Sequence, residues 1–234
     1  LLNASEKLEY ERLAGLFTDT SPSRQYTLDQ DYARIFNNIQ SGVQTDWLSK
    51  PLRNAFSQSH SLSVDGGDER AKYNLGVRYG KDAGVMKGSD RSRLSTNFRL
   101  SYNVSGKFFV SNSSTISSVT NNESPYGDFS DWAKMNPYEN PYDSDGKLRV
   151  SLYHDLANPL YDASLGSYTN TNAFDFLNTT SIQLWFGEKV RLDGDFTINR
   201  NKQNRRSFTS PLAYSEIRSK SADQRGSLSD NTVN

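Results

Sequence analysis

The chain contains no cysteine among its 234 residues. Disulfides, thiol catalysis and cysteine-based metal sites are therefore excluded. Histidine occurs only twice, at His60 and His154, far apart and near no nucleophile signature. A zinc site or a histidine-dependent triad has little to stand on, and no catalytic residue, metal site or cofactor is expected. No run approaches the roughly 18 apolar residues of a transmembrane helix. Nor is there an excess of either charge, since 27 acids balance 27 bases. That balance argues against a nucleic-acid partner, which draws a surplus of Lys and Arg. Apolar residues are also scarce, at 34%. Disorder is the ordinary consequence of so few, but 13 Tyr and 12 Phe are unusual for it.

What the chain has instead is alternation. Phe56, Gln58, His60, Leu62 and Val64 share one face of an extended run, with Ser57, Ser59, Ser61 and Ser63 on the other. After the turn at Gly66–Arg70, Ala71, Tyr73, Leu75, Val77 and Tyr79 oppose Lys72, Asn74, Gly76 and Arg78. Two alternating runs around a Gly-Gly turn predict a hairpin. The pattern returns over Leu94–Val104 and from Phe108 to Ile116, and again on either side of Gly187, from Phe174 to Phe186 and from Val190 to Ile198. Six strands follow, joined alternately by short and long connections.

Strands of this length with such asymmetric connections predict an all-β fold: an antiparallel transmembrane β-barrel segment, with an apolar band outside and a polar lumen. Six strands cannot close such a barrel, so the segment is expected to be part of a larger one. The other architecture that alternation allows is a soluble β-sandwich, or an open antiparallel sheet packed on one face. The predicted organisation is a loop region with short helices over 1–55, four strands over 56–119, a long loop over 120–173, two strands over 174–206 and an incomplete loop over 207–234. Ser5 is expected to cap a helix reaching Leu16, and Asp29–Asn38 to form another. With no initiating Met or signal peptide, an internal piece of a longer precursor is expected.

The stretch 120–173 is rich in aromatic rings and carries eight acids against Lys134, Lys147 and Arg149. Rings stack on ligand surfaces and carboxylates accept hydrogen bonds. Tyr126, Trp132, Tyr138, Tyr142 and Tyr153 are therefore candidates for ligand contact, the alternative being that they pack the loop. Asp143, Asp145 and Gly146 superficially suggest a calcium loop, but His154 stands where the twelfth ligand would be, so a turn is expected. Arg200, Lys202, Arg205 and Arg206 form a basic run that could meet phosphates or merely be solvated.

Several ordered stretches carry a resemblance: Asn3–Tyr10, Thr45-Asp-Trp-Leu48, Ser59–Gly67, Tyr79–Asp90, Arg93–Leu100 and Asn136-Pro-Tyr-Glu-Asn-Pro-Tyr142. In these the chain resembles the SusC/RagA-like TonB-dependent outer-membrane transporters of Bacteroidetes. The resemblance implies a portion of a 22-stranded outer-membrane barrel importing oligosaccharides or oligopeptides. It also implies a SusD-like surface lipoprotein as lid over loops that include the five rings, and coupling to the TonB system through a part not present; on such a wall the basic run Arg200, Lys202, Arg205 and Arg206 is the part that could meet lipopolysaccharide phosphates, the alternative being a solvated loop. The alternative function is a non-enzymatic surface binding or adhesion module.

Overall fold

The computed structural model describes residues 1–234. The chain divides into two compact units. The first comprises Leu1–Arg53, Pro125–Ser167 and Thr209–Ser227, and the second Asn54–Ser124, Tyr168–Phe208 and Leu228–Asn234.

The second unit is a seven-stranded antiparallel sheet whose strands lie in chain order. They are β1 (Ser57–Gly67), β2 (Ala71–Ala83), β3 (Asp90–Ser105), β4 (Phe108–Asn122), β5 (Tyr168–Phe186), β6 (Val190–Thr209) and β7 (Ser227–Val233). Tight turns set the register at one end. Between β1 and β2, the Asp68 carboxylate accepts the backbone N–H groups of Arg70 and Ala71, each at 2.8 Å. Gly67 has φ +134, and a Cβ there would run into the carbonyl of Ala71. Only glycine meets that demand without strain.

From these turns the register runs unbroken along β1–β2 and β2–β3, and between β4, β5 and β6. A bulge between Asn103 and Ser105 interrupts β3–β4. Side chains therefore fall into straight rows across the sheet. One polar row reads Asp65, Asn74, Arg99, Ser113, Thr179 and Thr197. On the opposite face one row reads Leu62, Val77, Thr96, Ile116, Phe176 and Arg200.

The expected barrel segment is corrected here. Seven strands are present rather than six, β7 arising within 207–234, and the sheet is open, with β1 and β7 as edges that do not pair. Alternation assigns each side chain to a face, and an open or a closed sheet satisfies it equally. Closure would need a further ladder between the ends, because unpaired strand edges in hydrocarbon cost several kcal/mol per group. The less polar face is also not a continuous apolar band. Asn112 and Asn178 exchange amide hydrogen bonds at 3.2 and 3.1 Å in its middle. Asn112 Nδ2 also donates to Thr180 at 2.8 Å, and Asn178 Nδ2 to Ser114 at 2.5 Å. A lipid-facing band would leave such a quartet in oil. The predicted multi-pass outer-membrane location falls with the barrel. No helix of the chain is long and apolar enough to cross a membrane.

In the first unit, α1 (Ala4–Leu13) and α2 (Pro22–Gln40) come from the first segment. The α1 cap is Asn3, not Ser5: its side chain accepts Glu6 N–H while the Glu6 carboxylate accepts Asn3 N–H. This reciprocal box satisfies two otherwise orphaned donors. Helix α2 is longer than predicted because Pro22 fits the first helical turn and nothing breaks the helix until Ser41. Ala4, Leu8, Ile35 and Tyr138 form one core cluster, joined by Phe17, Tyr32 and Ile39. Trp47, Trp132 and Leu152 form a second, with Tyr126, Met135 and Leu160 against it. The long stretch is not featureless: α3 (Phe129–Ala133), a 3₁₀ turn (Tyr153–Asp155) and α4 (Pro159–Ser164) lie within it. Another short helix, α5 (Tyr214–Ser219), follows β6.

Candidate ligand-binding sites

The structure separates the five aromatic candidates. Trp132 is fully buried and Tyr138 is 4% exposed. The Trp132 indole N–H donates to the Tyr126 carbonyl at 2.8 Å, and the Trp132 ring lies 6.2 Å from Trp47 and 5.7 Å from Tyr126. The Tyr138 hydroxyl donates to the Glu11 carboxylate at 3.0 Å. Burial, and secondarily the Glu11 charge, push that phenol far above its ordinary value, so it stays protonated. Trp132 and Tyr138 thus hold the first unit together.

Tyr142 and Tyr153 are exposed. The Arg34 guanidinium sits 3.5 Å from the Tyr153 ring centre. Next to it, His154 and Asp155 adopt positive φ values of 56 and 57. His154 Nε2 lies 3.0 Å from Asp31, whose other oxygen is buried without a partner. This pocket, about 320 Å³, also holds Glu11 and Glu139.

Two of the motif stretches meet within this unit. Trp47 Nε1 donates to the Asn136 carbonyl at 2.9 Å, Thr45 N–H to Pro137 at 2.8 Å and the Thr45 hydroxyl to Glu139 at 2.8 Å. Their spacing in sequence gave no sign of this pairing. Asp143 Oδ1 accepts the N–H groups of Asp145 and Lys147, each at 2.9 Å, as a turn does. No cluster of His, Asp or Glu in the chain could hold a metal ion. The basic run lies on β6, where Arg205 pairs with Glu123 at 3.2 Å and Arg206 with Asp230 at 2.8 Å.

A broad concavity lies on the polar face of the second unit, beside the β1–β2 turn. This open hollow measures about 670 Å³ and is lined from Asp65–Asp68, Lys72–Asn74, Arg99–Ser101, Ser111–Ser113, Thr179 and Ser181. Asp68 is held below the usual carboxylate range by the N–H groups of Ala71 and Arg70. Asp65 accepts the Asn74 amide at 2.5 Å. On the far side Ser181 donates to Asp195 at 2.5 Å, and Thr179 meets Thr197 at 3.1 Å. The alternation had placed Lys72, Asn74 and Arg99 on polar faces. Their convergence needed the register between β2 and β3, which a long connection leaves unspecified.

An open antiparallel sheet in strict chain order is the class of fold these observations define. No family model matches the chain, and no curated protein does. Solved structures do. The chain is similar to a structure described as the RagAB peptide transporter, at TM-score 0.66 and 13% identity over 89% of this chain. It is also similar to the RagAB peptide importer in the "closed-closed" state (0.63, 14%, 90%) and in the "open-open" state (0.64, 15%, 89%). In each case it spans 26% of the solved chain's length.

At these identities the likeness is one of fold alone, distant and partial. The family membership implied by the motifs is corrected accordingly. So are the importing function and the partners that depended on it: the SusD-like lid, the TonB system, lipopolysaccharide, and an oligosaccharide or peptide cargo.

Proposed function

We propose that this chain is a non-catalytic binding module, with the polar face of its sheet as the ligand surface. The observation that carries this reading is the 670 Å³ cavity beside the β1–β2 turn. Its volume falls among ligand pockets, roughly 300–1,000 Å³. Its hydroxyl, amide and charged side chains stand on paired strands, which hold a site more firmly than loops do. The reading is non-catalytic because the two acids in the wall are committed to the turn and to Asn74. Tyr142 and Tyr153 in the first unit are the aromatic candidates open to a secondary contact.

The test is a titration of isotopically labelled full chain with a panel of small polar solutes, charged and neutral, followed by backbone amide shifts. Saturable changes at Asp65–Asp68, Arg99–Ser101 and Ser111–Ser113 are expected from at least one solute. Shifts confined to other parts of the chain, or none with any solute, would overturn the reading.

A further inference from the structure

Strand β1 is an open edge of the sheet. β2 lies on one side of it and no strand on the other, and Ser57–Asp65 are exposed throughout. In an antiparallel ladder, alternate residues turn both backbone groups toward the neighbour, and those between turn theirs away. The two ends of the β1–β2 hairpin fix which are which. Asp68 N–H donates to the Ala71 carbonyl at 2.7 Å, and Ala83 N–H to the Phe56 carbonyl at 3.3 Å. The register is unbroken between these pairs, so the even-numbered residues of β1 bond to β2. Ser57, Ser59, Ser61, Ser63 and Asp65 therefore hold their N–H and C=O groups outward.

Sheet edges are ordinarily blunted by Pro, by charged side chains, by a bulge or by a covering segment. β1 has none of these devices along most of its length. From Ser57 to Val64 there is no Pro, no acid and no Lys or Arg. Its ladder with β2 carries no bulge. The opposite edge is different, since β7 has only seven residues and Asp230 stands at its centre.

We propose that β1 pairs with β1 of a second copy, antiparallel about a two-fold axis at Ser61, so that two sheets become one. The strand is complementary to itself in this register. Ser61 meets Ser61 of the copy, Ser59 meets Ser63, and Ser57 meets Asp65. The polar row thus continues across the join as hydroxyls, with no like charges opposite each other. On the other face His60 meets Leu62 and Gln58 meets Val64. Five outward residues on each strand, each giving one bond and taking one, supply about ten backbone hydrogen bonds, the number in a typical protein interface. A two-fold contact uses the same edge on both copies and closes at the dimer.

The experiment is sedimentation equilibrium of the full chain from about 1 to 100 µM, with amide hydrogen exchange at both ends of that range. The mass should rise from 26.4 kDa toward twice that value and stop there. Exchange at Ser57, Ser59, Ser61, Ser63 and Asp65 should slow as concentration rises. Exchange at Gln58, His60, Leu62 and Val64, already bonded to β2, should change little.

Two substitutions at the axis test the pairing, in variants whose circular dichroism matches the parent. Ser61→Pro removes an outward donor from each copy and leaves the β1–β2 bonds in place. Ser61→Lys sets two ammonium groups against each other. Each should weaken association about tenfold or more. Leu94→Lys, on the less polar face of β3, should stay within about twofold of the parent. Association unchanged by both Ser61 variants would overturn the proposal, as would a dimer whose odd-numbered β1 amides exchange as fast as in the monomer. Loss with Leu94→Lys alone would move the interface to the face of the sheet, and mass growing past the dimer would mean β1 pairing with β7 of the next copy. Either result overturns it, and so does a chain that stays at 26.4 kDa throughout.

Discussion

Replacing Trp132 by alanine tests the packing account of the first unit most directly. The side chain is fully buried between Trp47, Leu152 and Tyr126, and its N–H is spent on the Tyr126 carbonyl. Truncation removes the contacts, leaves a cavity and orphans that carbonyl. Trp→Ala changes in cores cost about 3–5 kcal/mol, and a single hydrogen bond accounts for about 1 of that. With a urea dependence of about 2 kcal/mol/M, the midpoint should fall by about 2 M. Fluorescence of Trp47, 6.2 Å from the deleted ring, reports the transition of this unit once Trp185 of the second unit is replaced by Phe in parent and variants alike. Trp132→Phe keeps most of the ring and should lose only about 1–2 kcal/mol. A midpoint within about 0.5 M of the parent in the alanine variant, or equal losses in the two variants, would refute the account. In that case Trp132 would be free for the ligand contact that its sequence context suggested.

Three other outcomes follow from named contacts. Asn158 is fully buried, donating from Nδ2 to the carbonyls of Pro141 (3.0 Å) and Arg149 (2.8 Å) and accepting Leu160 N–H at Oδ1 (3.2 Å). Asn158→Asp turns that donor into an anion facing two carbonyls and should cost more than about 3 kcal/mol near neutral pH, read by thermal unfolding, with part recovered in acid. Burial raises the Asp162 carboxyl, against a smaller opposing effect of the Tyr214 N–H that it accepts at 2.8 Å. Its folded form therefore holds the proton more tightly, so stability is greatest below the unfolded value of about 3.9 and falls as pH rises through the folded one. Asp162→Asn keeps an acceptor oxygen and should flatten that part of the pH profile in urea unfolding; an unchanged profile would sink the argument. Gly67→Ala places a Cβ against the Ala71 carbonyl at positive φ. It should lower stability by about 1–3 kcal/mol and speed hydrogen exchange at Asp68 and Ala71; exchange rates equal to the parent's would contradict it.

Much of the sheet was legible because its signal is local. Alternation around Gly66–Arg70 and Gly187 fixes which side chains share a face, and a tight turn fixes the register of its two strands. Whether the sheet closes is not a local property, and the barrel expectation came from loop lengths and motif order rather than from pairing. Nor does alternation alone show which polar residues of the less polar face meet: Asn112 and Asn178 stand opposite Thr180 and Ser114 only once the β4–β5 register is known. In the long stretch, composition could not separate Trp132 from Tyr142, one in the core and one exposed. That difference depends on Trp47, which is distant in sequence. Asn158 carried no signal beyond a favourable cap position before Pro159.

The chain order of the sheet sets a timetable for folding. Every ladder of the second unit joins consecutive strands, so each hairpin can form once its second strand is available. The first unit obeys a different schedule, since Thr45 and Trp47 must wait for Asn136–Glu139 and the short helix α5 comes later still. Contacts at such separation carry a larger loop-closure cost and form later. During synthesis Trp47 lacks Trp132 and Leu152, and the α1–α2 cluster lacks Tyr138, until the Pro125–Ser167 segment arrives, and that interval is when the unfinished chain is most open to wrong associations.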